Sequence, residues 1–282
     1  MTTTVTPTEA EQVARANASG KPPVVFVHGL WLLAGSWDRW AEAFEAAGYA
    51  AVTPNWPDDP ATVAEGKANP QTFAGKSVGQ VADHLQEVIE GLDRKPVLVG
   101  HSFGGLLVQI LAGRGLAAAT IAISPAPFKG VLPLPLVALK SSSAVLLNPL
   151  NASRAVMLTP KQFRFGFGNA VSEEESQQLW DTYHVPAPGR PLFQAAIANL
   201  NPFATATKAD TKRADRGPLL VIGSPEDHTA PVAMAKAAYK KQRRNQATTE
   251  YVEIPGRGHS LVVDSGWRDI ADTALEFLGR AA

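Results

Sequence analysis

The sequence predicts an α/β protein: a mostly parallel sheet of about six strands, helices on both faces, and a helical cap inserted late in the chain. Three observations carry this. Short, continuous apolar runs rich in β-branched residues alternate with amphipathic helical segments, the pattern of parallel strands buried on both faces. The alternation breaks between about Pro125 and Asp215, where aromatic- and proline-rich helical pieces replace strands. One strand runs straight into Gly100-His101-Ser102-Phe103-Gly104, and a helical pattern runs straight out of it.

In chain order, a short helix opens near Thr8, taken as its cap, with Glu9 and Glu11 in the first turn. Val24–Val27 is the first core strand. Residues 37–47 form a helix with Trp37, Trp40, Ala41 and Phe44 on one face, and Ala50–Thr53 a second strand. Residues 78–91 are amphipathic through Val81, Leu85, Val88 and Ile89. Strand Pro96–Gly100 leads to helix Phe103–Ala112, and Thr120–Ser124 is the next strand. After the break come strand Leu219–Gly223, helix Pro231–Lys241, strand Thr249–Ile254 and helix Gly266–Leu278. Within the break, helical pieces fall near 132–147, 160–169, 172–183 and 191–199. This divides the chain into a core of residues 1–125 and 211–282 and a cap of 126–210.

The 282 residues are 45% hydrophobic, enough for one large core. Lys plus Arg and Asp plus Glu are 26 each, so net charge gives no reason to bind nucleic acid or an anionic membrane. With no cysteine, disulfides and thiolate chemistry are excluded. Met1–Pro7 has neither a basic region nor an apolar core, so a cytoplasmic protein is expected. Lys240-Lys241-Gln242-Arg243-Arg244 reads as a solvated helix end.

The G-x-S-x-G match gains meaning from its strand–turn–helix setting. Glycines relieve a tight turn, and Ser102 is lifted to a helix N-terminus, where free N–H groups favour negative charge. His28-Gly29-Leu30-Trp31 follows the first strand. Asp227 lies in Gly223-Ser224-Pro225-Glu226-Asp227-His228, between a strand and a helix, with Glu226 as its rival. His259 lies in Gly256-Arg257-Gly258-His259-Ser260. His228, the other candidate base, sits in the acid's own loop. His84, on a surface helix, and His184, in the cap, are given structural roles. No His–carboxylate set has zinc spacing, so neither metal nor cofactor is expected.

On these residues the chain resembles the α/β-hydrolase fold family, and within it small bacterial esterases and cofactor-free haloperoxidase-like enzymes. The resemblance spans about residues 23–125 and 216–282. It implies a catalytic triad of Ser102, Asp227 and His259 and an oxyanion hole from the N–H groups of Leu30 and Phe103. The resemblance fails in two places: where many relatives carry D-x-R-G-x-G, this chain has Thr53-Pro54-Asn55-Trp56-Pro57-Asp58-Asp59-Pro60, and the family's N-terminal β-hairpin is not evident. The expected activity is hydrolysis of a small-molecule carboxylic ester. Perhydrolysis, lactone opening, C–C hydrolysis, acyl transfer, cofactor-free oxygenation and a slowly turning-over receptor remain open on the same scaffold. Trp31, Phe128, Phe163 and Phe167 are the candidate substrate-binding residues, on the argument that cap aromatics wall an apolar pocket.

Overall fold

The computed structural model describes residues 4–281, so the first three residues of the Met1–Pro7 segment lie outside it. Helix α1 (Pro7–Ser19) is capped by Thr6 and not Thr8. Pro7 suits the first helical position, and Thr6 and Glu9 close a reciprocal capping box. Strands β1 (Pro23–Val27), β2 (Ala50–Val52), β3 (Val97–His101) and β4 (Ala119–Ile123) are joined by helices α2 (Asp38–Ala46), α3 (Val63–Ala68), α4 (Val78–Glu90) and α5 (Phe103–Gly113). The core resumes with β7 (Leu219–Gly223), α10 (Val232–Gln242), β8 (Thr249–Glu253) and α11 (Trp267–Ala281).

The six strands form one sheet in the order β2-β1-β3-β4-β7-β8, and every pairing is parallel. The residues of β1, β3, β4 and β7 are buried throughout, whereas edge strand β8 is half-exposed. That difference explains why the inner strands are unbroken apolar runs and Thr249–Glu253 mixes polar and apolar residues. α2 and α11 pack together on one side, and α1, α4 and α5 on the other. α10 joins the α5 side through a buried hydrogen bond from Gln242 to Gln109. Phe26 from β1 meets Trp37, Trp40 and Phe44, the apolar stripe read from the sequence. Trp37 itself belongs to a 3-10 turn just before α2.

Between β4 and β7 the chain inserts a helical segment, termed the cap below: α6 (Leu136–Leu146), α7 (Pro160–Gly166), α8 (Glu173–Tyr183) and α9 (Arg190–Ile197). It also holds a two-stranded antiparallel ribbon, β5 (Ala155–Val156) with β6 (Ala187–Pro188), which lacks any sequence signal because each strand is only two residues long. Short α3 escapes periodicity for the same reason. His84 is a correction: it is buried on α4 and pairs with Glu9 of α1 at 3.0 Å, because α1 covers that helix. No helix among the described residues is long and apolar enough to cross a membrane.

Candidate active site

The turns that matter all lie at the carboxyl edge of the sheet, where open parallel sheets present their ligands. Ser102 sits between β3 and α5 at φ 57°, ψ −121°, a left-handed conformation that a side-chain-bearing residue adopts only at a cost. The turn survives because of its glycines. A Cβ on Gly100 would lie 2.2 Å from the Gly104 carbonyl oxygen, and one on Gly104 would lie 1.9 Å from that of Val27. Gly29 brings the β1 loop equally close, since its Cβ would meet that of Ser102 at 2.8 Å.

Asp227 and His259 follow β7 and β8, and both are buried. His259 Nδ1 donates to Asp227 Oδ2 at 2.7 Å, which leaves Nε2 as the ring's acceptor. That Nε2 is enclosed and has no hydrogen-bond partner among the described residues. Asp227 Oδ1 accepts the N–H groups of Thr229 and Ala230 at 2.8 and 2.7 Å, so the carboxylate is fixed from both ends. Glu226 points elsewhere: it accepts the Gly256 N–H at 2.9 Å and ties the acid loop to the base loop. His228 Nδ1 bonds the Phe165 carbonyl in the cap, away from that pair. The His101 ring, one residue before Ser102, packs on the His259 ring at 4.5 Å and so brings nucleophile turn and base loop together.

The Ser102 N–H is used by the Ile123 carbonyl at 3.0 Å. Among the described residues the N–H groups of Leu30 and Phe103 have no backbone acceptor. Gly29 packs against the Phe103 nitrogen, so the two N–H-bearing loops adjoin. Behind them is a network with no sequence signal. His28 stacks on Trp56, and its Nε2 lies 3.8 Å from Asp59, which is paired with Lys76. All three are buried, and Asp59 comes from the segment that replaces D-x-R-G-x-G.

A cavity of about 80 Å³ opens on Ser102 and Phe103. Of the four aromatics expected to wall it, only Trp31 does so. Phe167 packs edge-on against His259 and Trp31, and Phe163 stacks on Phe167 and meets His184. Phe128 is buried, and like Phe163 and Phe167 it does not line the cavity, so their bulk serves packing. The walls come from smaller residues of α6 and α9, such as Ala138, Leu139, Leu192 and Ala195, with Met234 from α10. Ser141, Ser142 and Thr229 add hydroxyls. A much larger groove, about 890 Å³, lies along α1 and holds none of the triad candidates.

Burial keeps three imidazoles neutral. It lowers His28 to about 4, with the Lys76 charge adding to the effect, and His184 to about 3, with Lys67 adding. Burial, then His259, pushes His101 well below its usual 6.5. In the opposite sense, burial raises Asp59 from 3.8 to about 6 against the pull of Lys76. Between pH 6.5 and the folded-state values, the unfolded chain takes up three protons on these histidines that the folded chain refuses. Stability is therefore full above pH 6.5 and falls on acidification, while Asp59, with one proton, opposes the fall below pH 6. The net of two protons gives a slope near pH 5 on the order of 2–3 kcal/mol per pH unit. Urea midpoints at pH 7 and pH 5 read this directly; equal midpoints would show that the imidazoles are not buried as neutral groups.

The profile of the alpha/beta hydrolase family matches residues 24–273. Among solved structures, a putative non-heme bromoperoxidase from Mycobacterium tuberculosis is similar at TM-score 0.66 and 17% identity, covering 93% of both chains. A monoacylglycerol lipase from Paleococcus ferrophilus gives 0.64 and 20%, covering 93% of this chain and 97% of that one. A methylesterase from Arabidopsis gives 0.63 and 17%, covering 92% and 99%. At these identities the likeness establishes a shared fold. With the family profile spanning nearly the whole sheet and cap, the chain belongs to the alpha/beta hydrolase family.

Proposed function

We propose that this hydrolase cleaves small-molecule carboxylic esters through an acyl-enzyme. His259 Nε2 takes the proton of Ser102 Oγ as that oxygen attacks the ester carbonyl. Asp227 holds the ring and stabilises the imidazolium. The N–H groups of Leu30 and Phe103 receive the developing oxyanion. The proton passes from His259 to the departing alcohol, and water then attacks the acyl-enzyme with His259 again as base. In this reading residues 1–125 and 211–282 are the catalytic core, and 126–210 form the cap over it. The observation that carries the proposal is a serine held at φ 57°, one residue from an imidazole that packs on His259, itself bonded to a buried carboxylate.

The cavity lining supports an apolar acyl group. Its volume of about 80 Å³ is below the roughly 300–1,000 Å³ of drug-sized sites. A short acyl chain fits within it, and a bulkier alcohol extends outward past Leu134 and Leu139. A butyrate ester adds two methylenes to an acetate, each contributing about 0.8 kcal/mol when buried, so kcat/KM is expected to rise about tenfold. Rates on the two p-nitrophenyl esters test this. A flat profile, or preference for acetate, removes the apolar acyl site, and absence of hydrolysis on any ester removes the esterase reading.

A further inference from the structure

Every exposed large hydrophobic side chain among the described residues lies between Leu132 and Phe203, in the cap. Leu136, Leu200 and Phe203 are 82%, 83% and 88% exposed. The segments that carry them adjoin. α6 packs on α9 and on the short 3-10 turn after it, which carries Leu150. Residues 129–131 are stitched to 199–204: Lys129 Nζ donates to the carbonyls of Asn201, Pro202 and Ala204, and Asn199 bonds both Gly130 and Val131. The face also borders the cavity, because Leu134 and Leu139 are at once exposed and part of its wall.

The segments that build it are one-sided in charge. Over residues 130–154 and 190–208 the exposed charged side chains are Lys140, Arg154, Arg190 and Lys208, and there is no acid. Of the cap's acids, Glu173, Glu174, Glu175 and Asp181 belong to α8, which packs on α7 and reaches back to Ser265, and Asp210 ends the cap against Gly113 of α5. The zero net charge of the whole chain hides this asymmetry. Solvent-exposed leucine and phenylalanine interspersed with lysine and arginine is the chemistry that settles at the boundary of an anionic bilayer, with apolar groups among the acyl chains and cations at the headgroups. A second copy fits less well, since self-association would place like charges against each other.

We propose that the α6–α9 face docks on an anionic lipid surface and presents the cavity mouth to esters carried there. Docking stands apart from the chemistry; only the delivery of substrate rests on the esterase reading. The test is co-sedimentation of the full chain with vesicles of equimolar phosphatidylcholine and phosphatidylglycerol, read by the pelleted fraction. Wild type and Ser102→Ala are expected to pellet alike, and high salt should release part of both. A triple variant, Leu136→Asp, Leu200→Asp and Phe203→Asp, exchanges three inserted side chains for charges, so its partition should fall at least about a hundredfold. These three positions do not line the cavity, so turnover of a water-soluble short ester by the triple variant should stay at the wild-type rate, which also reports that it is folded. Wild type left in the supernatant at low salt, or equal pelleting of the triple variant, overturns the proposal. So does a wild-type dimer in sedimentation velocity that the triple variant breaks, since the face would then belong to a second copy. A wild type that pellets but hydrolyses no ester sinks the esterase reading and leaves docking in place.

Discussion

Replacing Ser102 with alanine is expected to lower kcat on an ester by about 10⁴- to 10⁶-fold, the range seen when a nucleophile acting with a positioned base is removed. A fluorophosphonate should label the wild-type chain at this one serine, which peptide mass mapping reads. A glycine in the same place separates chemistry from architecture. The wild-type residue is held at φ 57°, where a Cβ is strained by about 1–3 kcal/mol and glycine is not. Ser102→Gly should therefore be inactive yet melt higher than wild type. A serine kept for structural reasons would give the reverse, a less stable variant with its activity retained. Near-normal hydrolysis by Ser102→Ala would falsify the triad.

Asp227→Asn is expected to cost about 10⁴-fold in kcat, because an amide in that place no longer enforces the required tautomer or stabilises the imidazolium. Glu226→Gln should cost less than about tenfold. The two residues are adjacent but aim differently. Asp227 is buried with Oδ2 on His259 and Oδ1 on two backbone N–H groups, whereas the Glu226 carboxylate receives the Gly256 N–H at 2.9 Å. A glutamine side-chain oxygen still accepts that bond, so the brace between the acid and base loops survives. Stopped assays on both variants under one set of conditions decide the matter. A larger loss at Glu226 would move the acid by one residue.

Those two positions also mark how far the sequence alone reaches. The order of elements, the elbow at Ser102 and the loops of Asp227 and His259 were legible, because each depends on a short stretch with a strict local demand. A parallel strand buried on both faces is an apolar run, and the tight turn at Ser102 closes only with glycine at positions 100 and 104. The cap was legible only as helices. Which side chains face Ser102 depends on how α6 and α9 settle on the core, and no local pattern encodes that. Large aromatics were expected in the wall; Phe128, Phe163 and Phe167 instead fill the interior, and alanines and serines of α6 leave the space. The pairing of Asp59 with Lys76 beneath His28 was invisible for the same reason, as the two are far apart in sequence and meet only in the fold. Helix α4 reads as a surface helix because α1, which covers it, has no counterpart in its amphipathic pattern.

Trp31 connects the cap to the loop of Leu30 more tightly than a mobile cover requires. Its indole Nε1 donates to the Val156 carbonyl of β5 at 3.0 Å, and its own carbonyl accepts the Val185 N–H beside β6 at 3.1 Å, all at φ 66°. Cap and core are thus not interchangeable parts. A cap transplanted from another member of the family would have to supply the same ribbon at the same height, or Trp31 would relax and carry its neighbour's N–H out of line. Diversification of this chain is easier through point changes at the cavity-lining positions of α6 and α9 than through exchange of whole segments.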